Sequence, residues 1–317
     1  MSFPIVFIHK GYSDYLEYSL RQAKHTNPDT EIILLGDEAN NKFPFVTHVN
    51  IKDYFKSASE FAKVYKHYST NPYNYELFCF QRWMILEEYL QDTKYSEVFV
   101  CDSDILFYAN VTKVLKANFK DIDVGLIGCS AGLSFWKIIY LKKLINLIFD
   151  SYNKRINEKK NRWKNIIKNR QLGGISDMTL IEEFYNKYNS KLKIYDFLIV
   201  ENHSYFDANI NISSFNYERE YEFKYGKKQF TWTNNTPFCF NHILNKNIKF
   251  NCIHFQGPAK YLMSRFYRGN NFHSKFLLDC KFKFLNLLAF WYMFLKIRYR
   301  FSFFFDWLQK EKKTNKK

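Results

Sequence analysis

Two aspartates one residue apart, Asp102 and Asp104, directly follow a short apolar run. The run Val98-Phe99-Val100-Cys101 is β-branched and aromatic, which is typical of a buried strand. Because an unpaired ionised carboxylate in an apolar site is very costly, two carboxylates at the end of such a strand need a partner. A divalent cation held by oxygen ligands is the simplest partner; the alternative is an ordinary turn cap. A cation here can neutralise a diphosphate, which indicates nucleotide-sugar chemistry.

A second segment with metal- and phosphate-binding residue types is His254-Phe255-Gln256-Gly257-Pro258-Ala259-Lys260, which follows a later strand pattern. His254 offers a neutral nitrogen to a metal ion, and Gly257 lets the backbone approach a phosphate closely. Lys260 supplies positive charge for that phosphate. Alone, His-x-x-Gly-x-x-Lys is a weak pattern, since a single histidine is usually a core residue with satisfied hydrogen bonds. Together with Asp102 and Asp104, it predicts two halves of one metal and diphosphate site.

Four more residues are candidates, each with an ordinary alternative. Asp177, after Gly173-Gly174, could orient or deprotonate an acceptor hydroxyl as the catalytic carboxylate, or simply favour the start of a helix. Arg82 could meet the diphosphate or stack on a base, or be a surface arginine paired with Glu87 or another acid. Gly132 and Ser134 could line the donor-sugar pocket; the alternative for this segment is a packing role for Trp136.

The elements that must position these residues predict an open α/β sheet. Strand-like runs at 5–8 and 31–35 flank a helical pattern, which is typical of a βαβ unit with parallel strands. Asp14 and Glu17 have capping-box spacing at the start of that helix, and Ser176 is expected to cap a later one. Further helical patterns cover about 76–91 and 141–170. Open α/β sheets bind ligands at the carboxyl ends of their strands, where Asp102 and Asp104 would lie.

Composition and charge limit the classes of partner. With 47% hydrophobic and 20% aromatic residues among 317, the chain can form one large core with or without an appendage. Its net charge of +16 favours anionic partners. The six cysteines are dispersed, which indicates reduced core thiols and neither a disulfide framework nor a zinc site. We expect no signal peptide, because the first residues pass directly into a strand pattern.

The C-terminal sequence differs in character from the rest, so we expect a domain over 1–270 and a basic, aromatic segment over 271–317. The apolar run at 284–295 is twelve residues long, whereas a bilayer span needs about 20. Aromatic residues flanked by lysine and arginine are typical of a helix lying in the membrane interface. A terminal helix packed on the domain is the alternative.

The order of an N-terminal strand, a sheet-end Asp-x-Asp and a late His-x-x-Gly-x-x-Lys resembles the GT-A fold glycosyltransferases. It is most similar to the bacterial family 8 lipooligosaccharide galactosyltransferases, over roughly residues 3–265. The resemblance implies a Rossmann-like, mainly parallel central sheet with flanking helices and a C-terminal helical tail. It also implies that Mn²⁺ or Mg²⁺ is held by Asp102, Asp104 and His254, and that Gly257 and Lys260 meet the diphosphate of a UDP-sugar.

Departures from this pattern indicate a divergent branch. The family's Pro-Trp after the lysine is replaced by Tyr261-Leu262, and its acidic entry to the nucleotide pocket by His9-Lys10-Gly11, which makes His9 a candidate cofactor contact. The family's catalytic Asp-Gln-Asp pattern is absent, and we expect residues 173–177 to take its place. The sugar, and retention or inversion of configuration, are therefore left open.

These expectations predict a metal-dependent, hexosyltransferase-type enzyme that moves a sugar from a UDP-sugar to a lipid-linked glycan. The expected context is lipopolysaccharide, lipooligosaccharide or capsule biosynthesis at the cytoplasmic face of the inner membrane, with peripheral attachment and no nucleic-acid partner. Two alternatives stay open: a basic nucleic-acid-binding protein, and a catalytically inactive, membrane-peripheral GT-A domain.

Overall fold

The computed structural model describes residues 3–119, 121–128, 130–169, 174–211 and 219–269. The predicted C-terminal segment 271–317 and its boundary at 270 therefore lie outside the described residues, as does Gly173. Fourteen strands are described: β1 (Ile5–His9), β2 (Ile32–Gly36), β3 (Thr47–Asn50), β4 (Glu97–Cys101), β5 (Ile105–Phe107), β6 (Val124–Ile127), β7 (Ser130–Lys137), β8 (Ile194–Asp196), β9 (Ser204–Phe206), β10 (Phe223–Lys224), β11 (Lys227–Lys228), β12 (Thr231–Thr233), β13 (Thr236–Asn241) and β14 (Lys246–His254). The described α-helices are α1 (Leu16–Thr26), α2 (Lys56–Val64), α3 (Tyr73–Gln91), α4 (Val111–Asn118), α5 (Ile138–Asn153), α6 (Ile156–Lys168), α7 (Asp177–Tyr188) and α8 (Met263–Phe266).

A seven-stranded central sheet runs in the order β3-β2-β1-β4-β7-β6-β8. All neighbouring pairs are parallel except the two made by β7, which is antiparallel to both β4 and β6. The predicted α/β class, with a mainly parallel sheet and flanking helices, is confirmed by this topology. Parallel β1 and β2 on either side of α1 also confirm the predicted βαβ pattern.

A second sheet is joined to the first by a very short turn. Its order is β12-β13-β14-β5, with β9 added alongside β14. Strand β5 belongs to this second sheet, whereas β4 belongs to the first, so the residues between them, 102–104, form the link. The Asp-x-Asp motif therefore lies at the junction of two sheets as well as at a strand end.

Both faces of the central sheet are buried, which explains the continuous apolar runs of its strands. Alternate side chains of β1 enter different cores: Val6 and Ile8 pack with α2, α3, α5 and α7, and Ile5 and Phe7 pack with α1 and α4. The predicted apolar face of α3 is buried, at Phe80, Trp83, Leu86 and Leu90. The polar side chains that could bind a ligand therefore lie at the ends of the strands.

Helix boundaries differ from the sequence prediction at three places. The capping box predicted at Asp14 is wrong: no side chain caps α1, and the Leu16 N–H instead donates to the Ser13 carbonyl at 3.0 Å. Helix α3 begins at Tyr73, directly after Pro72, which is earlier than predicted. The single predicted tract at 141–170 is two helices, α5 and α6. Ser176 does cap α7, reciprocally with Thr179.

Cysteines are free thiols at the four described positions, of which Cys101, Cys239 and Cys252 are buried and Cys79 is partly buried. This agrees with the predicted reduced core residues, while Cys129 and Cys280 lie outside the described part of the chain. Within that part, no helix has the length and apolarity that crossing a bilayer requires.

Candidate metal centre and active site

Strand pairing brings His254 to the two aspartates. Strand β14 is antiparallel to β5 with His254 opposite Ile105, the residue after Asp104. The backbone N–H of Phe255 fixes this register by donating to the carbonyl of Asp104 at 2.9 Å. His254 Nε2 lies 3.1 Å from Asp104 Oδ1 and 4.0 Å from Asp102 Oδ2. One potential ligand atom from each of the three residues lies within 4.8 Å of the other two.

Two cations extend this cluster on opposite sides. Lys260 Nζ lies 2.6 Å from Asp104 Oδ2. Arg82 bridges two carboxylates, with Nη1 2.6 Å from Asp102 Oδ1 and Nη2 2.7 Å from Asp177 Oδ2. Of the sequence alternative, a surface arginine paired with Glu87 or another acid, only the pairing with another acid is found, because the side chain is 15% exposed and pairs with Asp102 and Asp177. Three carboxylates here share two permanent cations and one imidazole.

Asp177 is held from three directions at the start of α7. Besides Arg82, the indole N–H of Trp83 donates to Asp177 Oδ2 at 3.1 Å, and the Met178 N–H donates to Oδ1 at 2.9 Å. The preceding Gly174 approaches other backbone closely: a Cβ there would lie 2.3 Å from the carbonyl oxygen of Tyr68. This glycine thus lets the segment before α7 pack directly against residues 68–69.

The charges in the cluster shift each other's ionisation. Burial alone would raise the pKa of Asp104, but the charges of and hydrogen bonds from His254 and Lys260 outweigh it and hold that pKa well below its usual range. Burial likewise opposes the charged forms of His254 and Lys260, and Asp104 outweighs it by raising the pKa of each. Metal binding requires a neutral imidazole, so occupation of the site would release a proton from His254.

The donor set fits a divalent metal ion. Two carboxylates and one imidazole supply oxygen and nitrogen ligands, a combination that divalent transition metals accept. Gly132 of β7 lines the same place: a Cβ at this position would lie 2.9 Å from His254 Cε1 and 3.1 Å from Asp102 Oδ2. The backbone of Gly132 also accepts a hydrogen bond from the Asp102 N–H at 2.7 Å. A side chain at 132 would therefore disturb two of the three ligands.

His9 joins the site through the residue between the aspartates. Its Nδ1 lies 2.8 Å from Ser103 Oγ, and its Nε2 is buried without a hydrogen-bond partner in the described residues. Burial lowers the pKa of His9 to about 4, with Lys260 acting in the same direction and Asp37 and Asp104 opposing. The ring is therefore neutral at physiological pH.

Sequence reasoning missed a polar cluster next to His9. Asp37 follows β2 and its Oδ2 accepts the Gly11 N–H at 2.6 Å. Asn40 donates to the carbonyl of His9 at 3.1 Å and to that of Gly11 at 2.9 Å. The sequence did contain a signal for this cluster, because Asp37 directly follows an apolar strand, as Asp102 does.

Gly257 begins the short 3₁₀ helix Gly257–Leu262 that carries Lys260. Its φ of +58° favours glycine, and the position of a Cβ faces open space. The preceding Gln256 is tied down by Asn209 and Asn211, at 2.8 Å and 3.2 Å. The structure thus gathers most of the predicted site residues into one network and places Gly257 beside it in the helix of Lys260; the members of the network are Asp102, Asp104, His254, Lys260, Arg82 and Asp177.

Comparisons with protein-family models and with curated proteins find no match. Among solved structures, the chain is similar to mouse xyloside xylosyltransferase 1, with 7% identity over 62% of this chain and 85% of that chain and a TM-score of 0.43. It is also similar to an active-site mutant of LgtC, with 15% identity, 88% and 96% coverage and a TM-score of 0.43. For the bifunctional glycosyltransferase WbbM, the identity is 11%, the coverage 87% and 51%, and the TM-score 0.43. Likenesses of this degree assign neither an activity nor a residue role to this chain.

Proposed function

We propose that this protein is a metal-dependent glycosyltransferase that takes a sugar from a nucleotide sugar, specifically a UDP-sugar. The observation that carries the proposal is the convergence of Asp102, Asp104 and His254 within 4.8 Å at the carboxyl end of β4, flanked by Lys260 and Arg82. Carboxylates for a metal and cations for phosphates are the two groups that a nucleoside diphosphate needs at one place.

In this proposal Asp102, Asp104 and His254 hold Mn²⁺ or Mg²⁺. When bound, the ion neutralises the negative charge that develops on the departing nucleoside diphosphate. Lys260, through its ammonium, and Gly257, through its open backbone, contact the phosphates. The neutral His9 lies beside the nucleotide; its Nε2, which has no partner within the described chain, is buried and would have to be uncovered to bind it.

Arg82 and Asp177 form the side of the site that faces the acceptor. Both oxygens of Asp177 accept hydrogen bonds, with Arg82 and Trp83 on one and the Met178 N–H on the other. For Asp177 to orient an acceptor hydroxyl, Arg82 must shift its guanidinium towards the diphosphate. The bond of Arg82 to Asp102, a metal ligand in this proposal, would keep the guanidinium on the metal side as it leaves Asp177.

We extend the proposal to a hexosyl donor, a lipid-linked glycan acceptor and the assembly of lipopolysaccharide, lipooligosaccharide or capsule. The basic, aromatic sequence of 271–317 and the net charge of +16 support attachment to the cytoplasmic face of the inner membrane. The division into a catalytic domain over 1–270 and this membrane-associating segment is part of the same proposal.

A thermal-shift screen of nucleotide sugars, with and without Mn²⁺, tests the function on the wild type, on Asp104→Ala and on Asp29→Ala. Asp29 is an exposed acid outside the network and serves as the matched control. We expect one donor to raise the melting temperature only with Mn²⁺ and only when Asp104 is intact. The absence of any metal-dependent shift in the wild type would contradict the proposal.

A second measurement separates the two alternatives from the enzyme. Purified protein incubated with the stabilising donor and Mn²⁺ should release the nucleoside diphosphate slowly by hydrolysis, and faster with an acceptor. Donor binding without release would favour the inactive GT-A domain. Binding of RNA or DNA that weakens steeply with salt, together with no donor binding, would favour the nucleic-acid-binding protein.

A further inference from the structure

Beneath the candidate metal centre lies a completely buried ion pair, Asp207 and Lys228. Both side chains are 0% exposed, and Lys228 Nζ donates to Asp207 Oδ1. The same ammonium donates to the carbonyl of Asn209 at 2.7 Å and lies 5.6–5.8 Å from the ring centroids of Tyr205, Tyr221 and Phe250.

Stability alone is a poor explanation for this pair. Removing two charges from water is so costly that apolar residues of similar volume often give an equally stable or more stable protein. The pair does, however, reach the metal centre through backbone. Asp207 Oδ2 accepts the N–H of His254 at 3.1 Å, and the Ile210 N–H donates to the His254 carbonyl at 2.8 Å.

Lys228 fixes the segment that makes both contacts. Its side chain holds Asp207 and Asn209, and its backbone N–H donates to the Ile210 carbonyl at 2.9 Å. Both backbone polar groups of His254 are thus bonded to one short segment, 207–210, which a single buried cation ties together.

The imidazole of His254 needs this backbone support. A metal-ligating histidine usually donates its second ring nitrogen to a carboxylate or carbonyl, which orients the ring. His254 Nδ1 is buried and makes no hydrogen bond within the described residues. Apart from the contact of its Nε2 with Asp104, the orientation of the ring therefore depends on packing and on the position of its backbone.

We propose that the Asp207–Lys228 pair is a positioning device that sets His254 at the correct distance from Asp102 and Asp104 for metal binding. This inference rests on the proposed function, because it requires a metal at those three residues. Asp207 and Lys228 are positioning residues, since neither touches the metal or the substrate.

The test measures Mn²⁺ binding by the full chain from the electron paramagnetic resonance signal of free Mn²⁺. One variant combines Asp207→Leu with Lys228→Met, which removes both charges and the acceptor for the His254 N–H. A second variant combines Asp207→Asn with Lys228→Met, which also removes the charges but keeps a carbonyl oxygen as acceptor for the His254 N–H. We expect the Kd for Mn²⁺ to rise about 10–100-fold in the first variant and to rise less in the second, which loses only the tie made by Lys228. The matched control, Lys224→Met at an exposed position, should keep the wild-type Kd.

Equal Mn²⁺ affinity in the wild type and the Asp207→Leu, Lys228→Met variant would overturn the positioning role and leave the proposed function intact. If the wild type binds no Mn²⁺, or Asp104→Ala binds it equally well, both the function and this inference are overturned.

Hydrogen exchange on the wild type decides the matter if either double variant does not fold. We expect Mn²⁺ to slow exchange of the His254, Ile210 and Lys228 amides more than that of amides in the distant strand β3. Equal slowing in both places, or none, would overturn the inference.

Discussion

Strand β14 ends in His254 between two groups of charged side chains. On one side, Asp207 and Lys228 are wholly buried and pair with each other. On the other side, Asp102, Asp104, Lys260 and Arg82 meet at a strand end where water has access, with Asp102 32% and Lys260 29% exposed.

The two groups differ in what each charge can do when its partner is removed. Lys228 has no path to water, so its charge would stay buried. Lys260 can turn its ammonium into solvent, and His254 can release its proton. A ligand site must be able to exchange internal ion pairs for contacts with its ligand, whereas a support must keep the same partners. The comparison therefore predicts a different cost for breaking each group.

The largest effect is expected for Lys228→Met alone. It leaves Asp207 buried without its counter-ion, which should lower the free energy of unfolding by about 3–5 kcal/mol. Urea denaturation of the metal-free protein measures this. Lys224→Met, at an exposed position, should change stability by less than about 0.5 kcal/mol. If Lys228→Met lowers the free energy of unfolding by less than about 1 kcal/mol, the buried pair is no more costly to break than the charged group at the strand end.

A smaller effect is expected from His9, which the site buries in its neutral form. Its folded-state pKa of about 4 lies below the unfolded value of 6.5, so the unfolded chain binds the extra proton between these values. Stability from this group is complete above pH 6.5 and is lost as the pH falls. The loss between pH 7.5 and pH 5 is about 2 kcal/mol.

The measurement is urea denaturation at both pH values for the wild type and for His9→Gln. The charged groups that act on His9, namely Asp37, Asp104 and Lys260, are present in both proteins, so the difference isolates the imidazole. The variant should lose less stability than the wild type on acidification; an equal loss would count against a buried neutral His9.

Asp104→Asn should cost the metal-free protein about 1–2 kcal/mol, less than Lys228→Met. The reason is that Lys260 and His254 both have an alternative to the lost carboxylate. Urea denaturation gives the cost, and a titration with Mn²⁺ should show that binding is nearly abolished. If Asp104→Asn costs as much stability as Lys228→Met, then Lys260 and His254 depend on Asp104 as strongly as Asp207 depends on Lys228.

The smallest effect on stability is expected for Gly132→Ala. The added methyl group would press on the His254 ring and the Asp102 carboxylate, and the exposed carboxylate can shift, so we expect a cost of about 1 kcal/mol. The Kd for Mn²⁺ should still rise about tenfold, since two ligands are displaced. Unchanged Mn²⁺ binding would show that these two side chains can move without loss of the site.

From the sequence we could predict the site residues whose polar side chains interrupt a pattern typical of a buried strand. Asp102 and Asp104 were recognisable because a buried strand stops at two carboxylates, and His254 because it ends another strand. Their pairing was not predictable from local pattern, since it depends on the register of β5 and β14, which are far apart in the chain. The bridge from Arg82 to Asp177 likewise depends on how α3 and α7 pack.

Other residues gave weak or misleading signals. Asp207 follows the strand Ser204–Phe206, so an acid after an apolar run could have marked it, but nothing local links it to Lys228. At Asp14 the capping spacing was present, yet a backbone turn from Ser13 to Leu16 took over the role of the cap. Spacing predicts which groups could bond, and the tertiary structure selects among them.

The three-residue link between β4 and β5 has a mechanical consequence. Asp102 adjoins the end of a strand in the first sheet, while His254 ends a strand of the second, so a metal bound by both would act as a cross-link between the sheets. Relative displacement of the sheets would then be opposed by the metal's own binding energy. The two sheets already share a buried apolar core at Phe99, Phe107 and Phe206, so we expect a bound metal to add to the free energy that couples them and a chelator to remove only that addition.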